Sequence, residues 1–535
     1  RQLMRGRPGW APAPGDPGSS QGSSSYQDKR VKLKATGAEP EISFLWTQYR
    51  CAAFLNAMAA GSAGVAVVLN EETRIKLKAP RKEQAGENRQ GVPSSPPVRA
   101  HNHFEGSALL TTKRGICESM SALYRAHGRD PFGAVPLTFI VCGGTSDPQF
   151  VQWRQAFDAF ESEAGQTMWL VKPGESGNRG CGIVVCNTAE EVTKCIDSKA
   201  KVWTVQKYIE RPLLIHKRKF DIRAYCLVLQ EPRSQGAGFR AFGYRDAYLR
   251  TTSAQYTTKR FDRMIHLNND AVQKHGEDYG KYESANKMSL DEFQRYLDEN
   301  HPRSAVSVRQ HLMPQIQGLM ADAVRAVASR LNPRGIEHCF EVYGFDFMVD
   351  ASFRVWLIEC NANPCLDLCS AYLSHIIPAM LDQALSLTLD RFLAPGASAC
   401  TGADDWSGTG TRWDPIFSSA QGAPPPAGIS CPWLEPLPEG AGASDTPPLG
   451  RQILCPKRGR RRRFKIDKVV VANGEAARGG EAQGDGGEER GEEEEEEGGE
   501  DLEDVEEAEE ERGDVQTCPP EGDLEAEEEE EEEEG

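Results

Sequence analysis

The segment CFEVYGFDFMVDASFRVWLIECNANP, residues 339–364, is the most informative stretch of this 535-residue chain about its fold. Two runs rich in aromatic and aliphatic residues are separated by the short connection ASF, a pattern that predicts an antiparallel pair of strands. Asp346 lies on the first strand. Glu359 and Asn361 lie two residues apart near the end of the second strand, so their side chains face the same side.

These three side chains all offer oxygen atoms. A hard cation such as Mg²⁺ binds a few protein oxygens together with phosphate oxygens. A carboxylate on a strand that otherwise reads Val-Trp-Leu-Ile needs a compensating partner, because burial of a lone carboxylate is costly. The pattern favours a Mg²⁺ site formed by Asp346, Glu359 and Asn361, and the alternative is a salt-bridged surface face.

The run RKFDIRAY at 218–225 carries its charges on one side of a predicted strand. Lys219, Asp221 and Arg223 alternate with apolar residues, so they share a face. Next to a phosphate site, such a face can bind ribose, phosphate or an acyl-phosphate. The alternative is a solvated face with a cross-strand ion pair.

A glycine-rich loop, GESGNRGCG at 174–182, follows the predicted strand TMWLVKP and leads into a return strand. Backbone N–H groups of such a loop can surround an anion, and the ammonium group of Lys172 can reach the α- and β-phosphates of a nucleotide. The loop lacks Gly-Lys-Ser/Thr and a following helix, which excludes a P-loop and a dinucleotide-binding fingerprint. A mobile hairpin is the alternative.

The remaining periodicity predicts helices at 151–165, 187–199 and 370–393, and Ser289 with Glu292 forms a predicted capping box. Long strands therefore alternate with helices. The predicted fold class is α+β, with antiparallel sheets.

Charge is distributed very unevenly along the chain. The formal net charge is −18, yet residues 471–535 hold 32 acidic and 3 basic residues, and residues 457–470 hold 8 basic and 1 acidic residue. The basic run can contact an acidic protein surface such as a microtubule, and the alternatives are a nuclear localisation signal or a nucleic-acid patch.

Composition then divides the chain into parts that can and cannot build a core. The predicted parts are a disordered segment at 1–40, an uncertain, partly ordered region at 41–100, a catalytic domain at 101–394, a Gly/Ala/Pro-rich linker at 395–456, the basic segment at 457–470 and a disordered Glu-rich tail at 471–535.

Three further features bear on the setting of the protein. No run of about 20 apolar residues is present, so no transmembrane helix is expected. Fifteen cysteines without small-domain spacing indicate a reducing, intracellular compartment. The first residue is Arg, so we expect that the chain can be a fragment.

Together these motifs resemble the tubulin–tyrosine ligase-like family, whose members have an ATP-grasp fold that holds the nucleotide between two lobes. The resemblance covers residues 101–394. It rests on NHF (102–104), LLTTK (109–113), WLVKP with the glycine-rich loop, VQKYIERPLLI (205–215), KFDIR (219–223), HLNND (266–270), YGFDFMVD (343–350) and WLIECNANP (356–364).

The resemblance implies a nucleotide site. Residues expected to contact or cover the ATP phosphates are Lys113, Lys172, Gly177, Gly180 and Gly182. Residues expected to meet adenine, largely through their backbone, are Gln206, Lys207, Tyr208 and Ile209.

The resemblance also implies a catalytic set. Lys219 and Asp221 match nucleotide and substrate contacts, and Arg223 matches an arginine on the phosphate side. HLNND departs from the family's His-Leu-Thr-Asn pattern, and Asn269 is preferred over Asn268 as the phosphate or metal ligand. Residues matching the Mg²⁺ ligands are Asp346, Glu359 and Asn361. The predicted catalytic residues are Arg223, Lys172 and Glu359.

The implied function is ATP- and Mg²⁺-dependent ligation of a free amino acid, glutamate or tyrosine favoured, to a carboxylate of the acidic C-terminal tail of tubulin, through an acyl-phosphate. Alternatives are a ligase such as a glycylase acting on tubulin or on a non-tubulin acidic protein, and a non-catalytic microtubule-binding module. We expect a monomer at the cytoskeleton, in the cytoplasm and at a cilium, flagellum or basal body, without membrane or nucleic-acid partners.

Two further motifs, the HNH string and a group of three cysteines, resemble known functional sites but are interpreted differently. The HNH string at 101–103 resembles a nuclease signature, but it falls where the family carries Asn-His-Phe. Cys360, Cys365 and Cys369 have a spacing that fits no common zinc site.

Overall fold

The computed structural model describes residues 44–47, 50, 52–59, 66–69, 75–78, 99–164, 167–174, 182–196, 202–231, 238–392 and 410–419. The segments at 1–40, 457–470 and 471–535, and most of the predicted linker at 395–456, lie outside the described residues.

The described elements alternate between strands and helices along the chain. In chain order they are β1 (Phe44–Leu45), α1 (Ala52–Ala59), β2 (Ala66–Leu69), β3 (Ile75–Lys78), β4 (Ala100–His101), α2 (Ala108–Thr111), α3 (Lys113–Ala126), β5 (Thr138–Val141), α4 (Pro148–Ala164), β6 (Trp169–Pro173), β7 (Val184–Cys186), α5 (Ala189–Ile196), β8 (Trp203–Lys207), β9 (Leu214–Ile215), β10 (Arg218–Gln230), β11 (Phe239–Gln255), α6 (Arg263–His266), α7 (Asp270–Gln273), β12 (Lys287–Ser289), α8 (Leu290–Asn300), α9 (Met313–Val327), β13 (Phe340–Val349), β14 (Val355–Asn361), α10 (Ala371–Leu387), α11 (Leu389–Phe392) and β15 (Trp413–Ser418).

A large antiparallel sheet carries most of the structure. Its strands run in the order β12-β11-β10-β13-β14, with β9 paired to β10 and β15 paired to β11. The predicted hairpin at 339–364 forms the β13–β14 pair. The two longest strands, β10 and β11, are buried along most of their length, as expected for central strands rich in aliphatic and aromatic residues.

The two faces of the large sheet are covered by different helices. Even-numbered residues of β10, such as Phe220 and Ile222, belong to the main core with α9. Odd-numbered residues, such as Tyr225 and Leu227, pack in a second cluster with α10. The strand's period of two therefore separates two cores, and Lys219, Asp221 and Arg223 continue the second face.

A smaller antiparallel sheet has the order β5-β8-β6-β7. Helix α4 packs on it through Trp153, whose ring lies edge-on to Trp169 of β6, with ring centroids 6.1 Å apart. The capping box of Ser289 and Glu292 is present at the start of α8. The α+β class predicted from the sequence is confirmed by these two sheets and their helices.

Two boundaries differ from the prediction. Strand β15 lies inside the segment predicted as a linker, and its Trp413 is buried against Tyr244. The linker prediction is wrong for these residues, because a short aromatic strand gains its stability by pairing with β11 rather than from its local composition. At the other end, Thr47 exchanges two hydrogen bonds of 2.9 Å with Asn102, so part of the 41–100 region packs on the domain.

None of the described helices is both long and apolar enough to cross a membrane.

Candidate active site

Charged side chains from four neighbouring strands meet on one face of the large sheet. The antiparallel register places Asp221 opposite Arg250 and Arg223 opposite Asp346. It also places Asp346 opposite Glu359. Cross-strand partners share a face, so the predicted ligands of the hairpin and the predicted face of β10 form one continuous row.

Two arginines clamp the carboxylate at the centre of this row. Arg223 donates to both oxygens of Asp346, with Nη2 3.0 Å from Oδ2. Arg250 donates to the same Oδ2 at 2.8 Å and also holds both oxygens of Asp221, at 2.7 and 2.8 Å. Asp346 is 2 % exposed and pairs with both arginines, so the alternative of a salt-bridged surface face is right about the ion pairs and wrong about their exposure. A cross-strand pair does exist at Asp221, but it is buried.

The two carboxyl groups at the end of the row have opposite pKa shifts. Burial alone would raise the pKa of Asp346, but Arg223 and Arg250 outweigh it and hold that pKa well below its usual range. Burial raises the pKa of Glu359, and the adjacent negative charge of Asp346 adds to that effect. Two like charges in register on neighbouring strands disfavour joint ionisation, and a cation bound beside Glu359 would relieve that cost.

The donor set at this point suits Mg²⁺. Asp346 and Glu359 supply carboxylate oxygens and Asn361 supplies an amide oxygen, all hard ligands. Asn361 lies within reach of Glu359, with Nδ2 3.3 Å from Oε1. A carboxylate accepts about four hydrogen bonds, and the arginines use three of the positions on Asp346, which leaves capacity for a cation.

A pocket lies near the Glu359 end of this row, where Lys113 and Lys172 act electrostatically on Glu359. Its lining includes Lys113 from α3, Lys172 from β6, Gln206 from β8, and Leu357 and Ile358 from β14. The two predicted phosphate-binding lysines are therefore brought together. Burial lowers the pKa of Lys172 to about 8, and the neighbouring ammonium groups of Lys113 and Lys219 act in the same direction.

Lys219 lies at the opposite end of the β10 face. Its Nζ donates to the side-chain oxygen of Asn268, and burial lowers the pKa of Lys219 to about 8. Asn268 is buried, whereas Asn269 is half-buried and caps α7 with its backbone. The structure thus brings Asn268, and not the preferred Asn269, to the lysine. His266 hydrogen-bonds Tyr208 and the carbonyl of Arg260.

The predicted adenine-contacting residues divide between two faces of β8. Gln206 turns into the pocket and accepts from Lys172 at 2.8 Å. Lys207 turns the other way, where its ammonium pairs with Glu210 at 2.5 Å and lies over the ring of Phe160. Tyr208 is buried and Ile209 half-buried just after the strand. The side chain of Lys207 is therefore directed away from the pocket.

The glycine-rich loop is described only at its ends. Gly182 has φ of 70°, and a Cβ there would lie 2.9 Å from Cγ of Pro173, so this position requires glycine. Gly177 and Gly180 lie outside the described residues, and their predicted role in covering phosphates stays a prediction.

Sequence reasoning missed Arg250, which joins both aspartates. Its partners follow only from the register of β11 with β10, which the sequence of either strand alone does not give. Gly344 was also missed as a packing position. A Cβ on Gly344 would lie 2.6 Å from Cβ of Pro364 and 3.2 Å from Cδ of Arg223, so a larger residue would displace the arginine.

The structure accounts for the HNH string at 101–103 and for the three cysteines without a nuclease or zinc site among the described residues. His103 is buried and its Nδ1 lies 2.9 Å from Glu341, which also accepts from the backbone N–H of Phe104. The HNH string therefore ties the start of the domain to β13. Cys360 is buried while Cys365 and Cys369 are exposed. In the part of the chain that the structure describes, no three His, Cys, Asp or Glu side chains form a metal-binding group.

Two antiparallel sheets, one carrying Lys172 and the other a row of acidic and basic side chains, agree with the ATP-grasp fold predicted from the sequence. The sequence model of the Tubulin-tyrosine ligase family matches residues 93–396, more than half of the chain. The chain belongs to this family.

The chain is also similar to individual members of the family. It is 31% identical over 249 residues to tubulin monoglycylase TTLL3 of Danio rerio, and the aligned segment covers 45% of this chain and 31% of that protein. It is 31% identical over 251 residues to tubulin glycylase 3B of Drosophila melanogaster, with the same coverage. The match to tubulin glycylase 3B of Tetrahymena thermophila is 26% identical over 230 residues, or 43% of this chain and 19% of that protein. The chain therefore spans about a third or less of the relatives it matches.

Proposed function

We propose that this protein uses ATP to join glycine to a carboxylate of an acidic tubulin tail. The observation that carries the proposal is the charged row Asp221, Arg250, Arg223, Asp346 and Glu359, whose central members are buried. Next to its Glu359 end, buried Lys172 and half-buried Lys113 line a pocket. A protein that only binds microtubules has no need to bury so many charges, because each costs desolvation energy. This argues against the non-catalytic alternative.

In this proposal the cationic residues bind and neutralise the phosphates. Lys113, Lys172 and Lys219 offer ammonium groups, and Arg223 is already oriented by Asp346. Fixed cations at a transferring phosphoryl group stabilise its charge without reorganisation. Asp346, Glu359 and Asn361 hold Mg²⁺, which would supply charge neutralisation at the phosphate oxygens.

The proposed chemistry has two steps. The acceptor carboxylate attacks the γ-phosphorus of ATP, so that an acyl-phosphate forms and ADP leaves. The amino group of the incoming amino acid then attacks the acyl carbon and forms the C–N bond. The acyl C–O bond breaks, phosphate leaves with its electron pair, and the nitrogen releases one proton to solvent. The arrangement needs no nucleophilic side chain, which agrees with the raised pKa of buried Cys360 next to the row.

The choice of glycine comes from the relatives. The expected preference for glutamate or tyrosine finds no support in them, since those reported above carry the names of a monoglycylase and of glycylases. The glycylase alternative is therefore preferred.

The proposed tubulin substrate also bears on where the protein acts and on which part of the chain contacts the tail. We propose that the protein acts as a monomer at the cytoskeleton, in the cytoplasm and at cilia, with a catalytic unit built on 101–394 and the basic segment at 457–470 contacting the acidic tail. Opposite charge on enzyme and substrate speeds their encounter.

Incorporation of a labelled amino acid into purified tubulin tests the proposal. Glycine, glutamate and tyrosine are supplied separately with ATP, and ADP release is measured in parallel. We expect glycine incorporation that requires ATP and releases one ADP for each glycine joined. Incorporation of glutamate or tyrosine in its place would keep the ligase and overturn the glycine assignment. ADP release without any incorporation would overturn the ligase.

A further inference from the structure

Three buried polar side chains that line the pocket form a hydrogen-bonded chain across the small sheet. Lys172 Nζ donates to Gln206 Oε1 at 2.8 Å, and Gln206 Nε2 donates to Thr138 Oγ1 at 3.0 Å. Thr138 Oγ1 in turn donates to the carbonyl of Pro136 at 2.7 Å. The three side chains come from β6, β8 and β5, which are neighbouring strands, and each is less than a tenth exposed.

The single hydroxyl proton of Thr138 fixes the direction of this chain. Because that proton is donated to Pro136, the hydroxyl oxygen can only accept from Gln206. Gln206 must then turn its NH₂ group toward Thr138 and its carbonyl oxygen toward Lys172. The opposite orientation of the amide would place two donors, the NH₂ group and the ammonium, against each other in a buried site.

We propose that Thr138 is a positioning residue that, through Gln206, holds the Lys172 ammonium at the place where the nucleotide phosphates bind. The inference rests on the proposed use of ATP. It goes beyond the proposed use of ATP, because it gives the side chain of Gln206 the role of orienting Lys172, whereas the family resemblance implied a contact of Gln206 with adenine.

The geometry of Lys172 agrees with this role. An ammonium group has three donors, and Gln206 takes one, which leaves two for phosphate oxygens. Lys172 lies opposite Thr204 in the register of β6 and β8, on the pocket side of the small sheet. A flexible side chain of four carbons loses considerable rotamer entropy when it is ordered, so an oriented acceptor that orders it before ATP arrives favours binding.

Thr138→Val tests the inference, because valine keeps the shape and removes only the hydroxyl. We expect ATP affinity, measured by isothermal titration calorimetry on the full chain, to fall about tenfold, since Gln206 loses the acceptor that orients its carbonyl oxygen toward Lys172. Thr138→Ser should restore it to within about twofold. Adenosine, which lacks phosphates, should bind the variant with the same affinity as it binds the unmodified protein.

A double-variant experiment separates positioning from a general structural effect. If Thr138 acts through the lysine, Thr138→Val should cause no further loss of ATP affinity once Lys172→Met is present. Thr388→Val is the matched control. Thr388 is fully buried, its hydroxyl donates to the carbonyl of Ala384 at 2.8 Å, and it follows α10 in chain order. It should lower the melting temperature without changing ATP affinity.

The outcomes are distinguishable. Unchanged ATP affinity in Thr138→Val, equal losses for ATP and adenosine, or additive losses in the double variant would each overturn the positioning role while leaving ATP use intact. Absence of ATP binding by the unmodified protein would overturn the proposed function, and the positioning role with it.

Discussion

Arg223 and Asp346 lie directly opposite each other on neighbouring antiparallel strands, and the guanidinium group of Arg223 contacts both oxygens of the carboxylate. The pair links the strand predicted to contact phosphates with the strand predicted to hold Mg²⁺. Its position between Arg250 and Glu359 makes it the centre of the charged row.

Arg250→Met should be strongly destabilising. It leaves Asp221 buried without its bidentate partner and removes one of two cations from Asp346. Breaking a buried pair in this way costs about 3–5 kcal/mol of unfolding free energy. Urea denaturation measures it. Arg309→Met is the matched control. The side chain of Arg309 is 48% exposed and pairs with Asp246 and Asp291. Its replacement should therefore cost less than about 1 kcal/mol of unfolding free energy. Equal losses of unfolding free energy in the two variants would contradict the assignment of Arg250 to a buried ion-pair network with Asp221 and Asp346.

Nucleotide affinity should decline as the pH rises through about 8. Lys172 and Lys219 have pKa values of about 8 in the protein without nucleotide, because burial disfavours their charged forms. Below that pH both carry the positive charge that phosphates require, and above it the charge is lost. Titration of ADP between pH 7 and 9 measures the effect, with adenosine as the control ligand. A parallel decline for adenosine would show that the lysines are not responsible.

Glu359→Gln should remove the response to Mg²⁺ without damaging the fold. The substitution keeps the shape of the side chain and removes the like charge next to Asp346. We expect an equal or higher melting temperature without metal. In the unmodified protein, Mg²⁺ at about 100 times its dissociation constant should add about 2.7 kcal/mol of stability, and in the variant it should add almost none. A preserved Mg²⁺ response would exclude Glu359 as a ligand.

Strand β15 should be required for stability although it lies beyond residue 396, where the family match ends. Trp413 is 3 % exposed and donates from its indole nitrogen to the carbonyl of Met380 at 3.2 Å. Trp413→Ala should cost about 3–5 kcal/mol of unfolding free energy. Trp46→Ala, at a residue 44 % exposed, should cost clearly less. Similar losses at both positions would mean that β15 adds little to the sheet.

The local pattern of the sequence was sufficient to predict the faces of single strands. Alternation placed Lys219, Asp221 and Arg223 together, and the two-residue spacing placed Glu359 near Asn361, because the side-chain period of a strand is two. These relations depend on neighbours in the chain. They do not depend on tertiary structure.

Relations between distant segments could not be predicted in the same way. Arg250 contacts Asp221 across 29 positions of sequence, and only the register of β10 with β11 determines that contact. The choice between Asn268 and Asn269 depends on which of two adjacent side chains turns inward at the start of α7. Strand β15 was hidden within a segment rich in Gly and Pro, because edge pairing depends on an exposed partner strand.

Tandem mass spectrometry of a tubulin-tail peptide, incubated with the full chain, ATP, Mg²⁺ and glycine, tests the proposed ligase activity. We expect an ATP-dependent mass increase by whole glycine residues, located on a glutamate side chain of the peptide, and no increase with Glu359→Gln. An unmodified peptide under conditions in which the protein binds ATP, or an equal increase with Glu359→Gln, would contradict it.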